Sequence, residues 1–401
     1  MFSTLALVLA EGFWHDPSAR TLAYAGFILL VGIFLALDLG VFHRHAHAIS
    51  MKEAALWSAF WISLGLAFAV FIYFAYERHW LGLGLETAMY NRAAASDPTA
   101  KTIIIGTVTG LEAAKQYLAG YVVEKSLAMD NIFVIALVFS YFAVPARYQH
   151  RVLFWGILGA LIMRGVLIGL GAKLVMSYTW ILIVFGVFLL LTSAKMAFFH
   201  SEPDPGNNRV VRLVRRLYPV VTFYDGQKFF TRRTTPPSYT TDEHGHLVTL
   251  PPEPGSLGRK AITPLFLALI MVEITDLIFA VDSIPAIFAI TPDPFIVFTS
   301  NIFAILGLRS LYFCLAAAIA RFRFLKPALI LILAYVGVKL LLLAFPPYID
   351  DVAGWLGQSV DPVRGIKIDT SISLIVVVGL LGGAIVASAL VKPKIKPASG
   401  E

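Results

Sequence analysis

Residues 272–288 read VEITDLIFAVDSIPAIF. The stretch is apolar enough to cross a bilayer, yet it holds Glu273, Asp276 and Asp282, followed by Pro285. A carboxylate near the bilayer centre costs roughly 2.5–3.5 kcal/mol on insertion scales, so an ionisable residue there faces the protein interior and finds partners. Three of them on one segment ask for a common purpose.

The rest of the chain supplies the membrane setting. Of 401 residues, 58% are hydrophobic and 14% charged, with a mean hydropathy of +0.78; a soluble domain is about 25% charged. A span takes about 20 mostly apolar residues, and nine segments qualify: 22–42, 54–75, 117–142, 152–175, 178–199, 263–289, 295–319, 327–345 and 371–391. The runs are continuous rather than alternating, which argues against a β-barrel and for an all-α membrane protein. Residues 1–116 hold two spans and an outer loop, 117–199 and 263–345 hold three spans each, 200–262 are a polar insertion, and 346–401 hold an outer loop, the ninth span and a basic tail. The opening MFSTLALVLA lacks a basic start and a cleavage site, so it reads as a short interfacial helix rather than a signal peptide. The single cysteine, Cys314, allows no internal disulfide.

A net charge of +7 would suit nucleic acid, but its distribution argues otherwise. With nine spans, alternate loops share a side, and one side collects twenty Lys and Arg against eight on the other. The positive-inside rule then puts the N-terminus outside and the C-terminus in the cytoplasm of the cytoplasmic membrane. In the insertion, RVVRLVRRLYP reads as a basic amphipathic helix resting on anionic lipid headgroups, with a regulatory binding site as the other reading. QKFFTRR and HLVTL then suggest a small β-hairpin.

The opening stretch has a counterpart upstream. EKSLAMDNIFVIA (124–136) lies over DLIFAVDSIPAIF (276–288), pairing Glu124 with Asp276, Asp130 with Asp282 and Asn131 with Ser283. Each copy then carries an arginine in its next span, Arg164 or Arg309, and a lysine in the span after, Lys195 or Lys339. Three spans per copy is an odd number, so the second copy is expected to be inverted, as in many secondary transporters. Spans three to five and six to eight form the proposed repeats.

Six helical residues rise about 9 Å, so the two acids of one copy cannot share one small ion. If the third and sixth spans cross near the midplane, Glu124 is level with Asp282 and Asp130 with Asp276, giving an outer and an inner carboxylate layer. Pro285 lacks an N–H and frees the carbonyl of Val281 beside Asp282. Asn131, Ser283 and Asn301 add neutral oxygens, and Glu273 and Asp38 are further candidates. Hard oxygens without Cys or His nearby favour magnesium, calcium or manganese. The competing reading is that the acids only pair with cations, and it is the preferred one for Arg164, Arg309, Lys195 and Lys339 as charge partners. His43, His45 and His47, and the weaker EHGH at 243–246, read as loop residues before metal ligands. Small-xxx-small spacings such as Gly165 to Gly169 and Gly379 to Gly383 indicate close helix packing. No nucleotide-binding or hydrolase motif occurs, so no enzyme and no prosthetic group is expected, and active transport would draw on an ion gradient.

At these residues the chain resembles the TerC family of integral membrane proteins, its Alx-like members in particular. The resemblance is carried by ALDLGVFHR, MKEAALWSAFWISL, EKSLAMDNIFV, FSYFAVPARYQHRVLFWGILGALIMR, VEITDLIFAVDSIPAIFAIT and DPFIVFTSNIFAILGLRSLYF, covering most of spans one to eight. It implies a relation to the LysE transporter superfamily, a link to manganese efflux and a historical one to tellurite resistance. It places the family's intramembrane acids on Glu124, Asp130, Glu273, Asp276 and Asp282, with Asn131 and Asn301 nearby. An acid-rich core suits a cation better than an oxyanion. The expectation is a divalent-cation exporter, manganese first, driven by proton exchange. The alternatives are a membrane partner for secretion or metallation of exported enzymes, docking through the insertion or as a homo-oligomer, and a stress-resistance module without transport.

Overall fold

The computed structural model describes residues 17–40, 51–91, 102–178, 180–198, 209–236, 239–241, 247–249, 257–316, 324–345 and 368–390. The N-terminal decapeptide, His43, His45 and His47, the 243–246 motif and the basic tail lie outside them, as does the side chain of Asp38.

Helices α1 (Pro17–Gly40) and α2 (Met51–Glu77) precede a two-stranded antiparallel ribbon, β1 (Thr87–Tyr90) with β2 (Ile103–Gly106). Three long helices follow: α3 (Gly110–Tyr141), α4 (Ala146–Ser177) and α5 (Ile181–Phe198). The insertion holds α6 (Arg209–Leu217) and strands β3 (Phe230–Arg233), β4 (Tyr239–Thr241), β5 (Leu247–Thr249) and β6 (Leu257–Ile262). Then come α7 (Pro264–Phe288), α8 (Pro294–Ile305), α9 (Leu308–Ala316), α10 (Leu325–Ala344) and α11 (Thr370–Leu390). Prolines at the first turns of α7 and α8 fit where no N–H is needed. Asp293 caps α8 by accepting from Phe295 N at 2.9 Å.

Eight segments among the described residues are long and apolar enough to cross a membrane, α8 and α9 counting as one. The ninth expected span, α3, has the length at thirty-two residues but carries Glu112, Lys115, Glu124, Lys125 and Asp130. Lipid-side surfaces are apolar, with Leu29, Leu56, Ile162 and Leu191 at least 60% exposed. Phe27, Phe68, Tyr117 and Phe303 interlock α1 and α2 with α3 and α8, their ring centroids 4.4 to 6.4 Å apart.

α3 packs against α7, and α5 against α10. α4 lies on α7 as α8 lies on α3. The side-chain bonds at the two ends show α3 and α7 running in opposite directions. Thr291, beyond the end of α7, donates to Gln116 near the start of α3 at 2.7 Å. At the other end Tyr224 donates to Phe142 O, just past α3, at 2.6 Å. The same loop holds the start of α7, where the Thr263 hydroxyl bonds Lys228 O at 2.8 Å and Phe229 O at 3.1 Å. Burial pushes the Tyr224 phenol up to about 12, so it stays a donor through the neutral range.

Two expectations about backbone are corrected. α7 is not broken in mid-membrane: the helix runs on to Phe288, with Pro285 in its last turn, where the ring still brings no N–H to the carbonyl of Val281. The break is instead in the seventh span, between α8 and α9. Gly307 there has φ +79°, and a Cβ on it would collide with the Trp61 ring. Gly307→Ala is therefore expected to destabilise the fold by about 1–3 kcal/mol from backbone strain alone. Thermal unfolding in detergent would reveal it, and an unchanged midpoint would mean that the turn tolerates a side chain. In the insertion, β3 pairs with β6 and β4 with β5, rather than QKFFTRR with HLVTL. Phe229 keeps its place beside α7 through Thr263, which leaves β3 next to β6, the strand leading into that helix.

Candidate functional site

Midway along α3, α4 and α7 the charged residues converge on one guanidinium. Arg164 of α4 is 1% exposed, Glu124 of α3 0% and Asp276 of α7 4%. Arg164 Nη1 bonds Glu124 Oε1 and also reaches Asn301 Oδ1 at 3.1 Å and Ser283 Oγ at 3.4 Å. Its other face grips Asp276, with Nη2 to Oδ1 at 3.0 Å and Nε to Oδ2 at 3.2 Å. Asn131 donates to Asp276 Oδ1 at 3.0 Å. The preferred reading of Arg164 as a charge partner describes its geometry.

Two levels are present, and Arg164 bridges them. Glu124 stands level with Ser283, and Asp276 with Asn131, because the two helices run antiparallel. The expected second acid is missing from each level. At about 100° per residue, six residues turn the side chain roughly 120° away, whereas seven bring it back to the same face. So Asn131 and Ser283 point into the cluster, and Asp130 and Asp282 point out of it. Half-buried Asp282 accepts from Thr192 Oγ1 of α5 at 3.3 Å, with Lys195 as its charged neighbour. Half-buried Asp130 has Lys326, at the start of α10, as its own. The two outward acids thus face the third helix of the opposite three-span unit.

The bonding leaves oxygens over. Glu124 Oε2, Asn131 Oδ1 and Glu273 Oε2 are buried without a hydrogen-bond donor. Glu273 lies one turn before Asp276, its carboxylate over Gly159 of α4, where a Cβ would collide with it. A crevice beside Asn131 and Asp276, walled by Leu153, Ile157 and Val272, has about 10 Å³ of room. That suffices for about one water-sized species. Two carboxylates against one guanidinium leave the cluster one negative charge in excess.

Lys125 follows Glu124 on α3. Its ammonium donates to Ala304 O at 3.0 Å and Leu306 O at 3.2 Å, capping the end of α8 at the break. The expected partners of the two lysines also differ. Buried Lys339 bonds Ser373 Oγ of α11 at 2.8 Å, while Lys195 is exposed at the end of α5. Arg309 is buried in α9, just past the break.

The integral membrane protein TerC family matches residues 109–396, which include every residue of the cluster. The chain belongs to the TerC family. Among its relatives, Alx of Escherichia coli strain K12, described as a membrane-bound redox modulator, is 42% identical over 327 residues. That alignment covers 81% of this TerC chain and 87% of Alx. An uncharacterized membrane protein of Myxococcus xanthus is 40% identical over 377 residues, 94% of both chains. One from Rickettsia bellii is 35% identical over 327 residues, 80% of this chain and 90% of the relative. No solved structure matches this TerC protein.

Proposed function

We infer that this TerC protein is a secondary transporter that exports divalent metal cations, manganese first, across the cytoplasmic membrane. The observation that carries the reading is the uncompensated cluster. Glu124 and Asp276 share one guanidinium at membrane depth, and three acceptor oxygens nearby have no donor. A purely structural ion pair does not need a second carboxylate, and buried pairs often have apolar replacements of equal or greater stability. Oxygen donors without sulfur or imidazole suit manganese, magnesium or calcium.

We read the cluster as a transit point rather than a resident metal site: among the described residues no three His, Cys, Asp or Glu side chains group so as to hold a metal ion. Conduction requires binding weak enough to release the ion, and a site with one excess charge and amide oxygens meets that need. Asp130 and Asp282, on either side of the midplane, serve as the next stations toward the two faces. The antiparallel α3 and α7 and the exchanged packing of their neighbours favour an inverted repeat about this level. The charge bias of the loops orients the protein with its insertion in the cytoplasm. Proton exchange supplies the drive, since a carboxylate that takes up a proton releases its metal.

A redox role, taken over from Alx, has one residue to stand on. Cys314 is the sole cysteine and is half-buried in α9, so one chain contains no dithiol pair. Metal supply is the more direct route from this core to redox balance. The test is manganese flux in proteoliposomes, with and without a pH gradient. Asp130→Asn and Asp282→Asn are each expected to lower the rate roughly 10–100-fold, the range seen for residues supporting a metal site. Unchanged flux in both, with normal insertion, would remove the transport reading and leave the partner-protein alternative.

A further inference from the structure

We propose that the basic cleft of the insertion is a binding site for the phosphate headgroup of an anionic membrane lipid. The cleft, of about 360 Å³, is formed by β3 and β6 and lined by Lys228, Arg232, Arg233 and Lys260. At its base Asp225 is 2% exposed. Its carboxylate accepts from Thr231 Oγ1 at 2.8 Å and pairs with Lys228 Nζ and Arg233 Nε, both at 3.3 Å. One buried acid therefore holds two of the four cations in place, and the four together leave three positive charges in excess around open space. Lys260 lies over the Phe230 ring at 4.5 Å, which fixes it on the rim. The arrangement fits a compact anion with several acceptor oxygens.

The neighbouring helix favours a lipid as its source. In α6, Val211 and Val214 pack inward, whereas Arg212, Arg215 and Arg216 are exposed. Leu213 and Leu217, one turn apart, are also exposed, at 53% and 65%. A short helix with bare leucines among arginines rests at the headgroup boundary, its apolar side in the acyl region and its cations on phosphates. The cleft is also fastened to the bundle. Tyr224 ties its loop to the end of α3, and Thr263 ties Lys228 and Phe229 to the start of α7. A headgroup seated there would brace the two helices that carry Glu124 and Asp276.

The experiment uses the full-length protein in a neutral detergent, titrated with short-chain phosphatidylglycerol, short-chain phosphatidylcholine or inorganic phosphate, and reads the thermal midpoint. Phosphatidylglycerol is expected to raise the midpoint at lower concentration than either other probe. A basic residue near anionic lipid contributes about fivefold in affinity, so Lys228→Gln/Arg232→Gln/Lys260→Gln should weaken binding by about 10²-fold. The equal charge loss Lys52→Gln/Arg78→Gln/Lys173→Gln, at exposed positions elsewhere, should leave it unchanged. If the triple variant does not fold, Arg232→Gln alone is expected to show the fivefold loss. Equal response to both lipids, equal loss in the control variant, or equal effect of inorganic phosphate each overturns the proposal. None of these outcomes depends on metal flux.

Discussion

Replacing Arg164 by leucine is expected to destabilise the folded protein by about 3–5 kcal/mol, the cost of leaving a buried charge without its partner. The effect is large because one guanidinium serves two helices. It holds Glu124 of α3 through Nη1 and Asp276 of α7 through Nη2 and Nε, and none of the three is more than 4% exposed. Thermal unfolding in detergent measures the loss. The variant Arg164→Leu/Glu124→Gln/Asp276→Asn should recover most of it, because the repulsion vanishes with the charges. Arg164→Lys should recover only part, since one ammonium cannot reproduce the bidentate grip on Asp276 while reaching Glu124. Equal stability of Arg164→Leu and the wild type would mean that the two acids are not held as anions at all.

Much of this site could be read from residue order. The paired acids, the arginine in the following span and the opposed direction of α3 and α7 all follow from composition and from counting spans. The inward-facing set required one more step. Glu124 and Asp130 look like a matched pair in the sequence, but a spacing of six places them on different sides of a helix, and it is Asn131, at seven, that joins Asp276. The same rule exchanges Asp282 for Ser283. Lys125 gave no comparable signal, because its partners are main-chain carbonyls that exist only where α8 stops. That stop hinges on Gly307 in AILGLRS, a glycine that an apolar run accommodates without comment, whereas Pro285 draws attention and yet leaves its helix continuous to Phe288. The short ribbon of β1 and β2 is hidden for a related reason: four residues per strand are too few for a period, although the β-branched TIII before Gly106 is consistent with one.

Glu124→Gln should separate transport from architecture. Only one oxygen of Glu124 bonds Arg164, and Oε2 is buried without a donor, so on the transport reading this is the carboxylate oxygen left to meet the ion. Neutralising it leaves Arg164 paired with Asp276 and takes the cluster from one excess negative charge to none. Two unit charges about 4 Å apart interact by about 4 kcal/mol at an effective dielectric of 20, and for a divalent ion the interaction energy doubles. Manganese flux should fall by at least about 10²-fold even after generous screening, while the unfolding midpoint stays near that of the wild type. Asp276→Asn should cut flux as well but lower the midpoint too, because both oxygens of Asp276 are engaged, by Arg164 and Asn131. If the cluster were scaffolding alone, the order would reverse: Glu124→Gln would transport normally, and any deficit in Asp276→Asn would track its loss of stability. The separation between the two readouts at Glu124 therefore distinguishes a carboxylate that meets the ion from one that only steadies its neighbours.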